Sequence, residues 1–482
     1  MDLTNLEAVI GLEVHIQLNT EAKAFAPESA KYTNIPNQHI SPVSLALPGT
    51  LPVMNKMQIE KAIRLGLALD CEINQRNYFD RKNYFYADLP KGYQITQDSD
   101  PVCLGGKFTL ENGKTIRLHH IHMEEDAGKS VHDISPDYSM LDYNRAGVPL
   151  LEMVTEPDFR NGDEVEEFIN TLRRLVRYLD VSDGVMQEGS MRCDVNLSLR
   201  EKGSDVLNTR CEIKNINSAS NAKKAVEQEF KRQLKLLKKG EEIKQSTLDF
   251  NLKTQKLTVI RVKENAHDYR YFPEPDLPPI IISDDWIESV KSNMGRLPQS
   301  YFHQLTTEYD LSEYDATILI EYKDIADLTL SLIQESNIDP KSIANFIVNK
   351  YLPDVKTGTD DLLEYPLSQE GILEFLTLIE SKKITVSSAY QNLLPHLLEQ
   401  PHKTAKQVME EMDLAQDFDL TALKSIILDI LDQNPDELKK YQNGKKNLFG
   451  FFMGEIMKAT KGKSNPKEAK KELMEILNTR NG

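Results

Sequence analysis

Cysteine is scarce in this sequence. Cys71, Cys103, Cys193 and Cys211 are its four cysteines, spread through 482 residues, and no two stand close enough for a zinc knuckle. Scattered thiols fit a reducing compartment rather than a disulfide scaffold. No apolar run nears the roughly 18 residues a membrane-spanning helix needs. The opening residues, Met1 to Glu7, have neither the basic nor the apolar region of a secretion signal. A cytoplasmic protein with no membrane attachment is expected. Positive charge is also short: 58 Lys and Arg stand against 75 Asp and Glu, a net charge of −17. That argues against a generally basic nucleic-acid coat, and DNA is not an expected partner, while a local basic patch remains compatible with the balance. There is no GxxxxGK[ST] or GxGxxG phosphate loop and no GxSxG elbow. A nucleotide used here has to be held by sheet residues, metal and basic side chains.

What the sequence does have is polar chemistry set into strands. The length leads us to expect two to four domains and a large core. In Gly11 to Leu18, Leu12, Val14, Ile16 and Leu18 alternate with Glu13, His15 and Gln17, so a strand here has one apolar face and one face carrying an acid, an imidazole and an amide. Leu150 to Val154 reads as an apolar strand interrupted by Glu152. A carboxylate there costs several kcal/mol unless it is paired, protonated or bound to metal. Cys193 to Leu199 repeats the pattern, with Asp194, Asn196 and Ser198 on one face and Arg192 at its mouth, and Glu212 and Lys214 flank Ile213. The stretch from Arg117 to Lys129 crowds His119, His120 and His122 against Glu124, Glu125 and Asp126. Carboxylates with an occasional imidazole suit a divalent cation that also holds substrate phosphates. In a strand Glu124 shares a face with His120 and His122 and Glu125 falls opposite, but the ladder is expected to end nearby, so parity does not choose between them.

Other stretches set the architecture. A polar, proline-marked loop over Ala22 to Pro42 leads into a turn-rich segment at Leu47 to Val53, followed by helix-like residues 57–70. Around Pro90-Lys91-Gly92, Lys82 and several tyrosines form a loop suited to a phosphate or a base. The spacing of Val165, Phe168, Ile169, Leu172, Leu175, Val176 and Leu179 predicts a scaffold helix from Asp163, a candidate N-cap, to Asp180. Asn221 to Lys239 reads as a basic helix stopped by Gly240, and Leu257 to Val262 as a strand. Past Pro278-Pro279 the sequence turns helical. Near its end an apolar stripe of Leu448, Phe451, Phe452 and Ile456 meets a lysine turn containing Lys458, Lys461 and Lys463, a candidate contact for a phosphate backbone.

Five strings occur in order: Gly11 to His15, Asp80 to Tyr86, His122 to Lys129, Glu188 to Asp194, and Asp268 to Asp276. Together they resemble the B subunit of the aspartyl/glutamyl-tRNA(Asn/Gln) amidotransferases, with a tail similar to the YqeY-type domain of that family. The resemblance covers essentially the whole chain. It implies an α+β protein: a glutamine-synthetase-like mixed or antiparallel-sheet cradle over 1–292, an all-α helical connector over 293–405 and a small YqeY-type helical tail over 406–482. It implies use of ATP and Mg²⁺ to phosphorylate the side-chain carboxylate of misacylated Glu-tRNA(Gln) or Asp-tRNA(Asn). Amidation with ammonia from the glutaminase, or A, subunit would follow, in a heterotrimer completed by a small C subunit. Glu13, His15, Glu125 and Glu152 match the family's metal-binding positions, with Glu124 beside them. Lys82, Arg192, Asp194 and Arg270 are the implied nucleotide or phosphate contacts, and Glu188 is an implied second-cation or orienting group. Lys458, Lys461 and Lys463 are the implied tRNA contacts. Many family members carry a cysteine-bound structural zinc before the Leu-Pro-Gly segment. Here residues 25–44 lack cysteine, so no structural zinc is expected and packing and prolines are expected to hold the loop. Two rival readings are a free-standing ATP-dependent ligase amidating a small carboxylate and a non-catalytic tRNA-binding adaptor. Neither accounts for the ordered set of strings.

Overall fold

In the computed structural model, strand β1 (Leu6–Gln17) lies at the centre of a ten-stranded sheet. Residues 5–131, 137–262, 269–355, 364–415, 420–460, 464 and 466–479 are described. The other long strands are β2 (Thr115–Glu125), β3 (Pro149–Thr155), β4 (Met191–Glu201), β5 (Cys211–Ile216), β6 (Ser246–Asn251) and β7 (Lys256–Val262). Their order across the sheet is β7-β6-β5-β4-β1-β3-β2, continued by the short strands Cys103–Leu104 and Glu72–Ile73, with Lys107–Thr109 pairing with β2 off this path. Every neighbouring pair of long strands is antiparallel except β5 and β6. A parallel pair needs a long crossover, and helix α3 (Ala219–Lys238) lies in the chain between those two strands. The sheet is therefore mixed, and the fold is α+β.

The apolar alternation of β1 fixes which face looks inward. Leu12, Val14, Ile16 and Leu18 are all buried, in one core with Leu151, Met153, Cys193, Val195 and Leu197 from the strands on either side. That face is covered by α1 (Lys56–Ala68), α2 (Gly162–Tyr178) and α3, which contribute Ile59 and Ile63, Phe168 and Leu172, and Ala222 and Val226 to the same cluster. Burying each large aliphatic side chain is worth about 1.5–3 kcal/mol. The stripe read on α2 is the buried one. Its cap is Asn161, whose side chain accepts the Glu164 amide, and Asp163 is already inside the first turn. Likewise α3 begins two residues before Asn221, capped by Ser218, and Gly240 follows it at φ +73°.

Two smaller pieces shape the other face. Asp80–Asn83 and Tyr93–Thr96 form a hairpin whose turn holds Pro90-Lys91-Gly92, and Phe272–Pro273 adds a third strand. The segment from Ala22 to Val53 has neither helix nor long strand. Packing and polar ties both hold it: Ala24, Phe25, Ala26 and Ala30 are buried. The buried Lys23 ammonium donates to the His39 carbonyl at 2.7 Å and the Tyr143 carbonyl at 3.3 Å. Asn144 accepts the His39 amide at 2.8 Å and donates to the Ile35 carbonyl at 2.8 Å.

The chain divides into two compact units, Met1–Ser300 and Tyr301–Gly482. Among the described residues of the second, every element is a helix. Near its end α4 (Leu420–Gln433), α5 (Leu448–Ala459) and α6 (Pro466–Thr479) close around Leu423, Ile427, Leu431, Phe452, Ile456 and Leu473. Lys458 is exposed on the last turn of α5, and Lys461 and Lys463 lie outside the described residues.

Candidate functional site

Register brings the polar residues of β1 to β5 into rows across the sheet. His15 stands opposite Glu152 on one side and Arg192 on the other, and Glu152 in turn faces His122. One step along, Glu13 stands opposite Asp194, and Asn196 faces Glu212. All have the parity of the non-core face. The same alternation that buries Leu12 and Val14 thus exposes these groups to one another.

The first cluster is His15, Glu124 and Glu152, whose ligand atoms all lie within 4.8 Å of one another. His15 Nε2 is 3.2 Å from Glu152 Oε2 and 3.8 Å from Glu124 Oε1. Burial opposes the charged form of His15, but its hydrogen bond to Glu152 and the nearby carboxylates outweigh this and push its pKa up to about 9. The converse holds at Glu152. Burial raises its pKa, and His122, His15 and Lys82 more than reverse that, leaving it below the usual carboxylate range. Two carboxylates and an imidazole at this spacing fit a divalent cation.

Glu13, Asp194 and Glu212 form a second cluster of the same compactness. Like charges directly opposite across strands repel, and here a lysine relieves them. Lys214 Nζ is 2.5 Å from Asp194 Oδ2 and 2.8 Å from Glu212 Oε1, while Asn196 donates to Glu13 at 2.9 Å. Burial and the three neighbouring carboxylates still raise the pKa of Glu13.

The other candidates divide. Glu124, not Glu125, joins His15 and Glu152. Strand β2 runs unbroken through Glu125, so parity does decide between them. Glu125 is buried away from the cluster, 2.5 Å from Lys91 Nζ and accepting the Ile95 amide at 3.0 Å. It lines a cavity of about 230 Å³ with Lys91, Tyr93, Phe25 and Asp276. Arg192 donates to Asp126 at 2.9 Å, within the field of Glu124 and Asp194. Lys82, in the hairpin, stacks 5.0 Å from the Tyr269 ring centre and is close enough to lower the pKa of Glu152. Arg270 is exposed at φ +47°, its carbonyl accepting from Asn83 at 2.8 Å. Glu188 sits in an exposed turn before β4 and lines a separate groove with Gln17 and Arg145. His122, Glu212 and Lys214 belong to the face; the sequence places His122 in a cation-suited stretch without choosing it and does not single out Glu212 or Lys214 as site residues. For His122 the parity it shares with Glu124 is the available signal.

Comparison with known proteins gives a consistent result. Residues 8–288 match the family described as the GatB/GatE catalytic domain, and residues 328–477 match the GatB domain. The chain is 43% identical over 474 residues to the B subunit of the aspartyl/glutamyl-tRNA(Asn/Gln) amidotransferase of Persephonella marina (strain DSM 14350 / EX-H1), covering 98% of this chain and 99% of that one. It is 42% identical over 477 residues to the corresponding B subunit of Rickettsia rickettsii (strain Iowa), covering 98% of each.

Proposed function

This chain belongs to the family of aspartyl/glutamyl-tRNA(Asn/Gln) amidotransferase B subunits, and from that premise we propose that the polar face of its sheet is where a tRNA-borne carboxylate is activated with ATP. As a member, the chain is part of a multisubunit ligase that forms carbon–nitrogen bonds with glutamine as amide donor. The substrates are Glu-tRNA(Gln), Asp-tRNA(Asn) or both. The partners are a small C subunit together with the glutaminase, or A, subunit, in the cytoplasm. We divide the chain into the catalytic cradle (1–292), a helical connector (293–405) and a tRNA-binding tail (406–482).

A carboxylate resists nucleophiles because of its charge, so it must first acquire a leaving group. Its oxygen attacks the γ-phosphorus of ATP, the bond to ADP breaks and an acyl phosphate forms. Ammonia then attacks the carbonyl carbon, phosphate leaves, and the nitrogen loses a proton to give the amide. Charge accumulates on phosphoryl oxygens in the first step and has to be met by fixed positive groups. His15, Glu124 and Glu152 would hold Mg²⁺, which supplies Lewis-acid charge to those oxygens when bound. Arg192 is anchored on Asp126, so its remaining guanidinium donors are oriented for an anion on the same face. Lys82 stands beside Glu152 on the hairpin that borders the face. Asp194 and Glu212 hold Lys214 near Glu13 and, with it, the local charge balance. In the tail, Lys458 and its neighbours contact tRNA phosphates.

The observation that carries this reading is the convergence of His15, Glu124 and Glu152 from three adjacent strands onto one half-buried spot. A small-molecule ligase would turn over ATP without tRNA, and an adaptor would not turn it over at all. The test is ATP hydrolysis by the copurified complex of all three proteins. Hydrolysis that depends on Glu-tRNA(Gln) and is lost in both Glu152→Gln and His15→Ala is the expected result. Turnover surviving both substitutions would place the chemistry elsewhere.

A further inference from the structure

We propose that the groove at the Gln17 end of strand β1 receives the 3′-terminal aminoacyl-adenosine of the tRNA substrate and so directs its side-chain carboxylate onto the polar face. The proposal rests on the reading of that face as the place of carboxylate activation and deepens it.

The groove is built before any ligand arrives. It encloses about 590 Å³, within the roughly 300–1,000 Å³ of sites for small organic ligands. One wall is the irregular segment from Ala30 to Asn37, and the other is a two-stranded ribbon of Lys129–Val131 and Met140–Asp142. Asn37 staples the two. Its backbone amide donates to Asp142 Oδ1 at 3.0 Å, and its side chain donates to the Leu141 carbonyl at 3.0 Å and accepts the Tyr143 amide at 2.8 Å.

What the walls leave over has the chemistry of an aminoacylated nucleoside. Tyr32 is 90% exposed, an aromatic face offered to solvent, and the half-exposed Met140 stands in the opposite wall. Unpaired RNA bases are taken on such surfaces. Lys129 and Glu188 are exposed in the lining, and among the described residues neither has an ion-pair partner. An ammonium suits the phosphate that precedes the terminal nucleoside, and a carboxylate suits the α-ammonium of the amino acid.

Position supplies the direction. Gln17 lines the groove and has the parity of Glu13 and His15. It lies two residues beyond His15, about 6.7 Å along the strand, a reach comparable with an acidic side chain. Asp126 meets a guanidinium on either side: Arg145 of the groove at 3.3 Å and Arg192 of the polar face at 2.9 Å. One carboxylate thus joins groove and face. An aminoacyl end seated with its amino acid toward Gln17 presents its side chain to the row of His15.

ATP carries the same adenosine, so the experiment separates the two sources. The copurified complex of all three proteins is titrated calorimetrically with 3′-deoxy-3′-(glutamylamino)adenosine, whose amide link is not hydrolysed. Tyr32→Ala is expected to weaken the probe about tenfold and Gln17→Leu about fivefold. Each should raise KM for Glu-tRNA(Gln) by a similar factor, with kcat and KM for ATP within about twofold of wild type. Tyr32→Phe keeps the ring and should bind like wild type. Glu188→Gln should weaken the probe but not adenosine alone. A thermal unfolding curve checks that each variant is folded. A rise in KM for ATP with probe binding unchanged would give the groove to the nucleotide and overturn the proposal. Loss of a copurifying subunit in Tyr32→Ala would mean that a protein segment fills the groove, and would overturn it too. So would probe binding indifferent to both Tyr32→Ala and Gln17→Leu while Glu152→Gln abolishes turnover, a result that leaves the activation face standing. If turnover survives both Glu152→Gln and His15→Ala, the reading of the face falls, and the groove assignment with it.

Discussion

Two three-membered clusters lie side by side on one sheet face, and they are neutralised differently. In His15, Glu124 and Glu152 the positive charge comes from imidazole, a group that gives up its proton to a metal. In Glu13, Asp194 and Glu212 it comes from Lys214, bound to two of the three acids at 2.5 and 2.8 Å, and an ammonium is a far poorer leaving guest. Acid count and spacing alone would rank the clusters as equals. The identity of the counter-charge separates a place prepared for an exchangeable cation from one whose cation is part of the chain.

The largest effect expected is on the first cluster. Glu152→Gln should lower tRNA-dependent kcat/KM by about 10²–10³-fold, while Glu13→Gln, in the lysine-filled cluster, should cost about tenfold; equal losses would erase the distinction. Next, Lys214→Met removes the built-in cation and should raise Mn²⁺ bound per chain from one to two in an equilibrium titration. A stoichiometry that stays at one would mean the second cluster holds no metal even when vacated. A third comparison sets Glu125 against Glu124. Glu125→Gln strands the Lys91 ammonium and should destabilise the fold by about 2 kcal/mol in denaturant unfolding, with Mn²⁺ affinity unchanged, whereas Glu124→Gln should weaken Mn²⁺ about tenfold. The smallest effect belongs to the tail. Lys458→Ala should weaken tRNA binding by less than about 1 kcal/mol and reduce the log–log salt slope by about one.

Much of this is legible in the sequence because strands carry a strict period of two. The alternation of Leu12, Val14 and Ile16 with Glu13 and His15, and the lone acid Glu152 in an apolar run, point to a polar face over a core, and register joins them there. The stripe of α2 is equally readable, though its cap falls on Asn161 because the side chain that reaches the Glu164 amide is two residues before Asp163. Choosing between Glu124 and Glu125 requires knowing that β2 continues to its last residue. The partner of Glu125 is invisible in the sequence, since Lys91 comes from a hairpin turn 34 residues away. Lys214 is invisible as a counter-ion for a related reason: its contact with Asp194 depends on β5 lying beside β4, and strand order is not written in the local pattern. The loop from Ala22 to Val53 reads as held by packing and prolines; Ala24 and Phe25 do pack into the core, while the Lys23 ammonium, buried against Glu28 and backbone carbonyls, is a tie the local pattern does not show.

The candidate cation donors come from residues 15, 124 and 152, on three strands adjacent in the sheet and distant along the chain. Loop-closure entropy has to be overcome before such strands meet, so no fragment carrying one or two of them can own the site. Cation binding then becomes a reporter of completed folding. An ion at a hundred times its dissociation constant would add about 2.7 kcal/mol to the native state, and limited proteolysis with and without the ion should show protection spread over the whole sheet rather than confined to the residues that touch it.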